Sequence, residues 1–179
     1  MNVKYKSLKK CAGFNALELM MVLAVIAVAT VAVVKTMSGN SDKQSSTQMV
    51  TDVTAMVFNI KNAYSNSNDG YNTLTQEAVI KMKAIPQDLR VNGETIKSQF
   101  QGGTVEIAAT ADTFTITYTQ VPQAVCASAV NALGGSAFSS IKINDDEVFN
   151  NVNKNLDPSL VAKDCENGKA PSKIEFTAS

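Results

Sequence analysis

The chain opens with an apolar run and then changes its period. Residues 19–34 read LMMVLAVIAVATVAVV, uncharged and apolar on every side of a helix. Extending back to Phe14 gives about twenty residues interrupted by one acid, Glu18, close to the length a helix needs to cross a bilayer core. Further on, Val50, Val53, Val57, Ile60 and Tyr64 recur at spacings of three and four. That is the stripe of an amphipathic helix lying on a core. The cluster Asn66-Ser67-Asn68-Asp69-Gly70 stops it. An unbroken helix from Phe14 to about Ser65 would be roughly 75–80 Å long at 1.5 Å per residue. Gly39-Asn40-Ser41 is the place for a kink, because Gly weakens a helix interior by about 1 kcal/mol.

Shorter elements follow. Thr73-Leu74-Thr75-Gln76 has the form of a capping box and predicts a helix to about Ala84, ahead of Ile85-Pro86. Residues 105–109 predict a strand. A second strand is expected over 114–119, where Phe114, Ile116 and Tyr118 alternate with threonines. Gly102-Gly103 and Ala111-Asp112 mark turns. Pro122 suits the first turn of a helix that continues through Cys126 to about Leu133 and ends at Gly134-Gly135. Residues 139–143 and 173–176 read as further short strands. The expected fold class is α+β: a long N-terminal α-helix with an apolar protruding half, packed on a small antiparallel β-sheet domain. The expected division is 1–13, 14–65 (with 14–34 apolar) and 66–179.

Charge adds an asymmetry to this picture. The chain has 16 basic and 16 acidic side chains, yet Lys4, Lys6, Lys9 and Lys10 all precede the apolar run with no acid among them. Without residues 1–13 the balance is 12 basic against 16 acidic, a net of about −4. A mildly acidic body does not suit nonspecific nucleic-acid binding, which needs clustered Lys and Arg on the phosphate path. No histidine occurs anywhere. That removes the commonest general base, the usual Ser and Cys triads and most zinc sites. No enzyme, cofactor or metal is expected. Asp145-Asp146-Glu147 lacks the spaced oxygens and glycine of a calcium loop and reads as a solvated surface turn. The glycine pairs lack phosphate-loop spacing. Met20, Met21, Met37, Met49 and Met56 read as packing helix faces against neighbouring helices.

Three membrane-related readings compete for the N-terminal segment. A secretory signal would end in a small-residue cleavage site, which Lys35-Thr36-Met37-Ser38-Gly39 does not offer. A lipoprotein signal would place small uncharged residues before its cysteine, but Cys11 follows Lys9-Lys10. A plain anchor leaves Glu18 unexplained, since an acid at mid-bilayer costs about 2.5–3.5 kcal/mol. Interfacial snorkelling is the bland account of that carboxylate. The basic head places the N-terminus on the cytoplasmic side.

Gly13-Phe14-Asn15-Ala16-Leu17-Glu18, after a lysine-rich head and before an apolar run, resembles the processing site of type IV pilin precursors. The resemblance implies cleavage by prepilin peptidase between Gly13 and Phe14, N-methylation of Phe14, and assembly by lateral packing of the 14–34 helices. It gives Glu18 a partner: the freed α-amino group of Phe14 on a neighbouring subunit, which would set axial register. Removing the head also leaves Cys126 and Cys165 as an even pair, consistent with a disulfide from an oxidising compartment; two buried free thiols are the other reading. Type IV pilins typically carry such a C-terminal disulfide-bounded region. A loop of this length, together with the segment Val121-Pro122-Gln123-Ala124-Val125-Cys126, resembles the type IVb group of toxin-coregulated, bundle-forming and conjugative thin-pilus pilins. Phe at the first mature position is commoner in type IVa. The implied function is a pilus subunit in adhesion, aggregation or mating contact. It would be inserted in the inner membrane as a precursor, handled by the inner-membrane pilus assembly machinery, and then form an extracellular homo-oligomeric filament. The rivals are a pseudopilin of a type II secretion system, a DNA-uptake minor pilin with a basic stripe, and a membrane-anchored periplasmic enzyme.

Overall fold

The computed structural model describes residues 41–134, 138–152, 155–166 and 171–179. The apolar run and the expected kink at Gly39-Asn40 lie outside them. Helix α1 occupies 41–64, and its inner face carries Met49, Val53, Met56, Val57 and Ile60, all buried. The predicted stripe faces the core: Val53, Val57 and Ile60 are buried, and Val50 and Tyr64 pack half-buried at its margin. Met49 and Met56 fill this domain's own core instead of facing neighbouring helices, as suits an unbranched, adaptable thioether in an irregular gap. Met20, Met21 and Met37 lie outside the described residues.

Past α1 the chain turns at Gly70, whose φ is +59°. A Cβ there would meet the Ala111 carbonyl oxygen at 2.2 Å, and the neighbouring Tyr71 N–H donates to that same oxygen at 3.0 Å. Helix α2 (Gln76–Lys81) is capped by Thr75 and not by Thr73: the Thr75 hydroxyl accepts from the Ala78 N–H. Gln76 is used elsewhere, its side chain accepting from the Ile107 N–H at 2.9 Å. The helix stops three residues short of Ala84, since Lys83 takes a φ of +56° and turns the chain toward Ile85-Pro86.

Among the described residues seven strands form one sheet: β1 (Arg90–Asn92), β2 (Thr95–Lys97), β3 (Thr104–Ala109), β4 (Phe114–Val121), β5 (Ser140–Ile143), β6 (Asp146–Asn150) and β7 (Ser172–Ala178). Their spatial order is β1-β2-β3-β4-β7-β5-β6, and every pairing is antiparallel. Register explains the core. Ile96, Val105, Tyr118, Ile174 and Ile143 stand opposite one another in one row across five strands. Ile107, Ile116, Phe176, Ile141 and Phe149 form a second. All ten are buried. A period of two sends their neighbours to the opposite face, where the Thr115 and Thr177 hydroxyls bond at 3.0 Å. The acidic run 145–147, expected as a turn, is divided: Asn144 and Asp145 form the two-residue turn, both at positive φ, and Asp146 already begins β6. This is the backbone pattern of a type I′ hairpin.

Helix α3 (Gln123–Leu133) and helix α4 (Pro158–Glu166) bury Val125, Cys126, Ala129, Val130, Leu133, Val161 and Cys165 in the same core. Cys126 and Cys165 are disulfide-bonded, with Cα atoms 6.0 Å apart and a sequence separation of 39. Closing a loop of that length restricts the unfolded chain by about 4 kcal/mol in the chain-entropy account. Reduction is expected to lower the unfolding free energy by an amount of that order, read from urea curves of oxidised and reduced protein. Coincident curves would contradict it.

Candidate assembly interface

Of the residues singled out in the sequence, Gly13, Phe14 and Glu18 lie outside the described ones, while Cys126 and Cys165 join α3 to α4. No helix among the described residues is long and apolar enough to cross a membrane; the stretch 14–34 is not among them. Nor do the described residues hold a cluster of three or more His, Cys, Asp or Glu side chains suited to a metal ion.

What the domain holds most elaborately is α1. Gln48 Nε2 donates to Asp52 Oδ1 at 3.0 Å and to Asp88 Oδ2 at 2.8 Å, bridging two carboxyls. Asn59 Nδ2 donates to the Ala84 carbonyl at 3.1 Å, and Gln99 Nε2 donates to the Ser45 carbonyl at 3.3 Å. Three side-chain amides thus tie α1 to the segment 84–99, in addition to its apolar packing. Asp52 is buried, and its second oxygen has no hydrogen-bond partner. Burial pushes its carboxyl above the ordinary range; the Gln48 hydrogen bond pulls it down, and the charge of Asp88 pushes it up again. The Tyr118 hydroxyl, also buried without a partner, is raised well above the usual phenol range by burial and then by the Asp52 charge. The sequence carried a signal for Asp52: it is an acid set between Val50 and Val53 in an apolar stripe, as Glu18 is in the first.

The outer face of α1 is unusual in a different way. From Gln44 to Ile60 the only ionisable residue is Asp52, and that one points inward. Thr47, Thr51, Thr54 and Phe58 are exposed at helical spacing. The threonine hydroxyls donate to the carbonyls of Lys43, Thr47 and Val50, one turn back. Each hydroxyl's one donor is thus spent within the helix, so a partner would meet methyl groups and hydroxyl acceptors. Phe58 is 63% exposed. A solvated helix face ordinarily carries charges; this one offers a neutral, weakly polar stripe.

The two ends of the sheet also differ. β1 and β6 are each paired along one edge only. Beside β1, Ile80, Ile85, Pro86, Leu89 and Val91 line an apolar groove of about 370 Å³. Beside β6, Glu147, Asn150, Asn155 and Asp157 line a polar groove of about 430 Å³.

Comparison with known families gives one finding: the family model described as PilS N terminal matches residues 42–179. No curated protein matches the chain at a significant level.

The unpartnered Asp52 oxygen generates a test of the grip on α1. Because its carboxyl titrates above the unfolded value near 3.9, its contribution to stability is full below that pH. It is lost as pH rises through the higher folded value. Asp52→Asn keeps an acceptor for Gln48 and removes the charge, so the variant is expected to be more stable relative to wild type at pH 7 than at pH 3. That pH-dependent advantage should vanish below about pH 4. Urea titrations of both proteins across that range measure it; a pH-independent difference would contradict the assignment.

Proposed function

The chain belongs to the PilS N-terminal family, a pilin-like family, and from this premise we propose that it is the structural subunit of a type IV pilus, of the type IVb kind, without catalysis of its own. Family membership makes it a pilus-related structural protein; the rest of the proposal is chemical. Prepilin peptidase hydrolyses the Gly13–Phe14 peptide bond and methylates the freed amine of Phe14. The precursor sits in the inner membrane through 14–34, and assembly draws that segment out of lipid into a bundle of like helices. The mature chain ends as part of an extracellular filament.

One observation carries this reading: a single acid, Glu18, in an otherwise uncharged apolar run, at the fifth position after the Gly13–Phe14 bond. In a bundle interior a lone carboxylate is penalised heavily and a paired one much less. The Phe14 amine of an adjacent copy is a cation available at nearly the same depth. The neutral outer face of α1 supports the same picture, because an uncharged helix face suits packing against other helices.

Two substitutions test it, with the full chain expressed alongside its assembly machinery. Glu18→Ala is expected to lower the yield of fibres sheared from cells at least tenfold while the membrane-bound chain persists. Thr54→Lys places a charge on the outer face of α1, leaves the melting temperature unchanged, and is expected to lower fibre yield several-fold. Wild-type yield from Glu18→Ala would overturn the proposal.

A further inference from the structure

The disulfide has two sulfurs, and the fold treats them differently. A groove of about 250 Å³ runs between α3 and α4, lined by Gln123, Ala124 and Ala127 on one side and by Ala162, Cys165 and Glu166 on the other. Both cysteines are nearly covered, Cys126 at 0% exposure and Cys165 at 1%, so the groove decides the approach. Cys165 borders it and Cys126 does not. Cys126 belongs instead to the inner face of α3 with Val125, Ala129 and Val130, all buried. The alanines at the groove's margin leave room for an incoming group, and Ala124 and Ala162 are exposed.

The two positions also differ in how well they carry a negative charge. Cys126 is the fourth residue of α3, and a helical side chain leans back toward its N-terminus. The first turn of α3 holds no acid, and Pro122 supplies no side-chain cap, so the positive end of the helix dipole is uncompensated there. That end favours a thiolate left on Cys126. Cys165 is the last residue but one of α4, at the negative end, between Asp164 and Glu166 in sequence. Lys163 shares that last turn, but residues two apart on a helix do not face each other. A thiolate on Cys165 is the costlier one.

We infer that the disulfide opens and closes with one polarity: an incoming thiolate attacks Sγ of Cys165 from the α3–α4 groove, and Cys126 is the leaving sulfur. A new S–S bond joins the reagent's sulfur to Cys165, the Cys126–Cys165 bond breaks, and its electron pair stays on Cys126 Sγ. The step is an exchange without net oxidation or reduction, and the Cys126 thiolate then takes a proton from solvent. Exchange is faster when the leaving thiolate is the more stable one, so access and charge select the same sulfur. Closure is the reverse: the Cys126 thiolate attacks Cys165 Sγ in the mixed disulfide and expels the carrier's thiolate. The groove is therefore an attachment site for a thiol, and Cys165 is the residue that bears it. None of this depends on the filament reading above.

The test uses the full oxidised chain in detergent, with Cys11 first blocked by iodoacetamide. It is treated with 2-mercaptoethanol, trapped at early times with N-ethylmaleimide, and digested for peptide mass spectrometry. The product with 2-mercaptoethanol on Cys165 and maleimide on Cys126 should exceed the converse product roughly tenfold. In concentrated urea, where helices and groove are gone, the two products should come within twofold of each other. An excess on Cys126, equal products from the folded protein, or an undiminished excess in urea overturns the inference. A folded protein that forms no mixed disulfide overturns it too. Independently, Ala162→Phe narrows the groove at an exposed position. It should slow the exchange at least fivefold while the oxidised protein keeps the wild-type melting temperature; an unchanged rate would show that the thiol does not enter by this groove.

Discussion

A carboxylate set in an apolar helix face has to find a partner or lose its charge. This chain applies that constraint twice. Asp52 lies on the inner face of α1, where Gln48 supplies one hydrogen bond and burial raises its pKa. Glu18 lies in the apolar run, where Asn15, three residues earlier, is the nearest polar side chain in sequence. The first acid is accommodated inside one chain, and the second, in the proposed function, by another copy's amine. Met49, Val53, Met56, Val57 and Ile60 hold α1 by its inner face. The domain grips one face and leaves a neutral face outward.

That grip accounts for the arrangement of the remaining elements. The two rows of apolar side chains across the sheet present a continuous floor, and Tyr118 in the first row comes under the charge of Asp52. Segment 84–99 is drawn over α1 by the amides of Asn59, Gln48 and Gln99. The disulfide fastens α3 to α4, and β7 runs between β4 and β5. α1 is thus held in its domain by apolar packing and three side-chain amides.

Much of this was readable where periodicity is strong. Alternation of Phe114, Ile116 and Tyr118 with threonines placed β4, and Pro122 with Gly134 bracketed α3. Shorter elements were lost because local turn chemistry, and not periodicity, defines them. The β1–β2 hairpin turns through Gly93-Glu94 between the paired Asn92 and Thr95, with Gly93 at φ +63° as a glycine-first hairpin turn requires, but its strands are three residues long and β1 is wholly exposed. Helix α4 announces itself through Asp157-Pro158: the Asp157 carboxylate accepts from the Ser159 N–H at 2.8 Å, with proline at the first helical position. Strand β6 was hidden because its first two residues are acidic and exposed, as a turn would be. The α1 stripe follows the predicted positions, and Met49 and Met56 join it because they fall on the same helical face.

The central claim is that the apolar run is a processed assembly helix and not a simple anchor. Mass spectrometry of the N-terminus of chain recovered from the cell surface tests it most directly. The account predicts a mature chain beginning at N-methylated Phe14. An intact Met1, or a first residue beyond Val34, would contradict it.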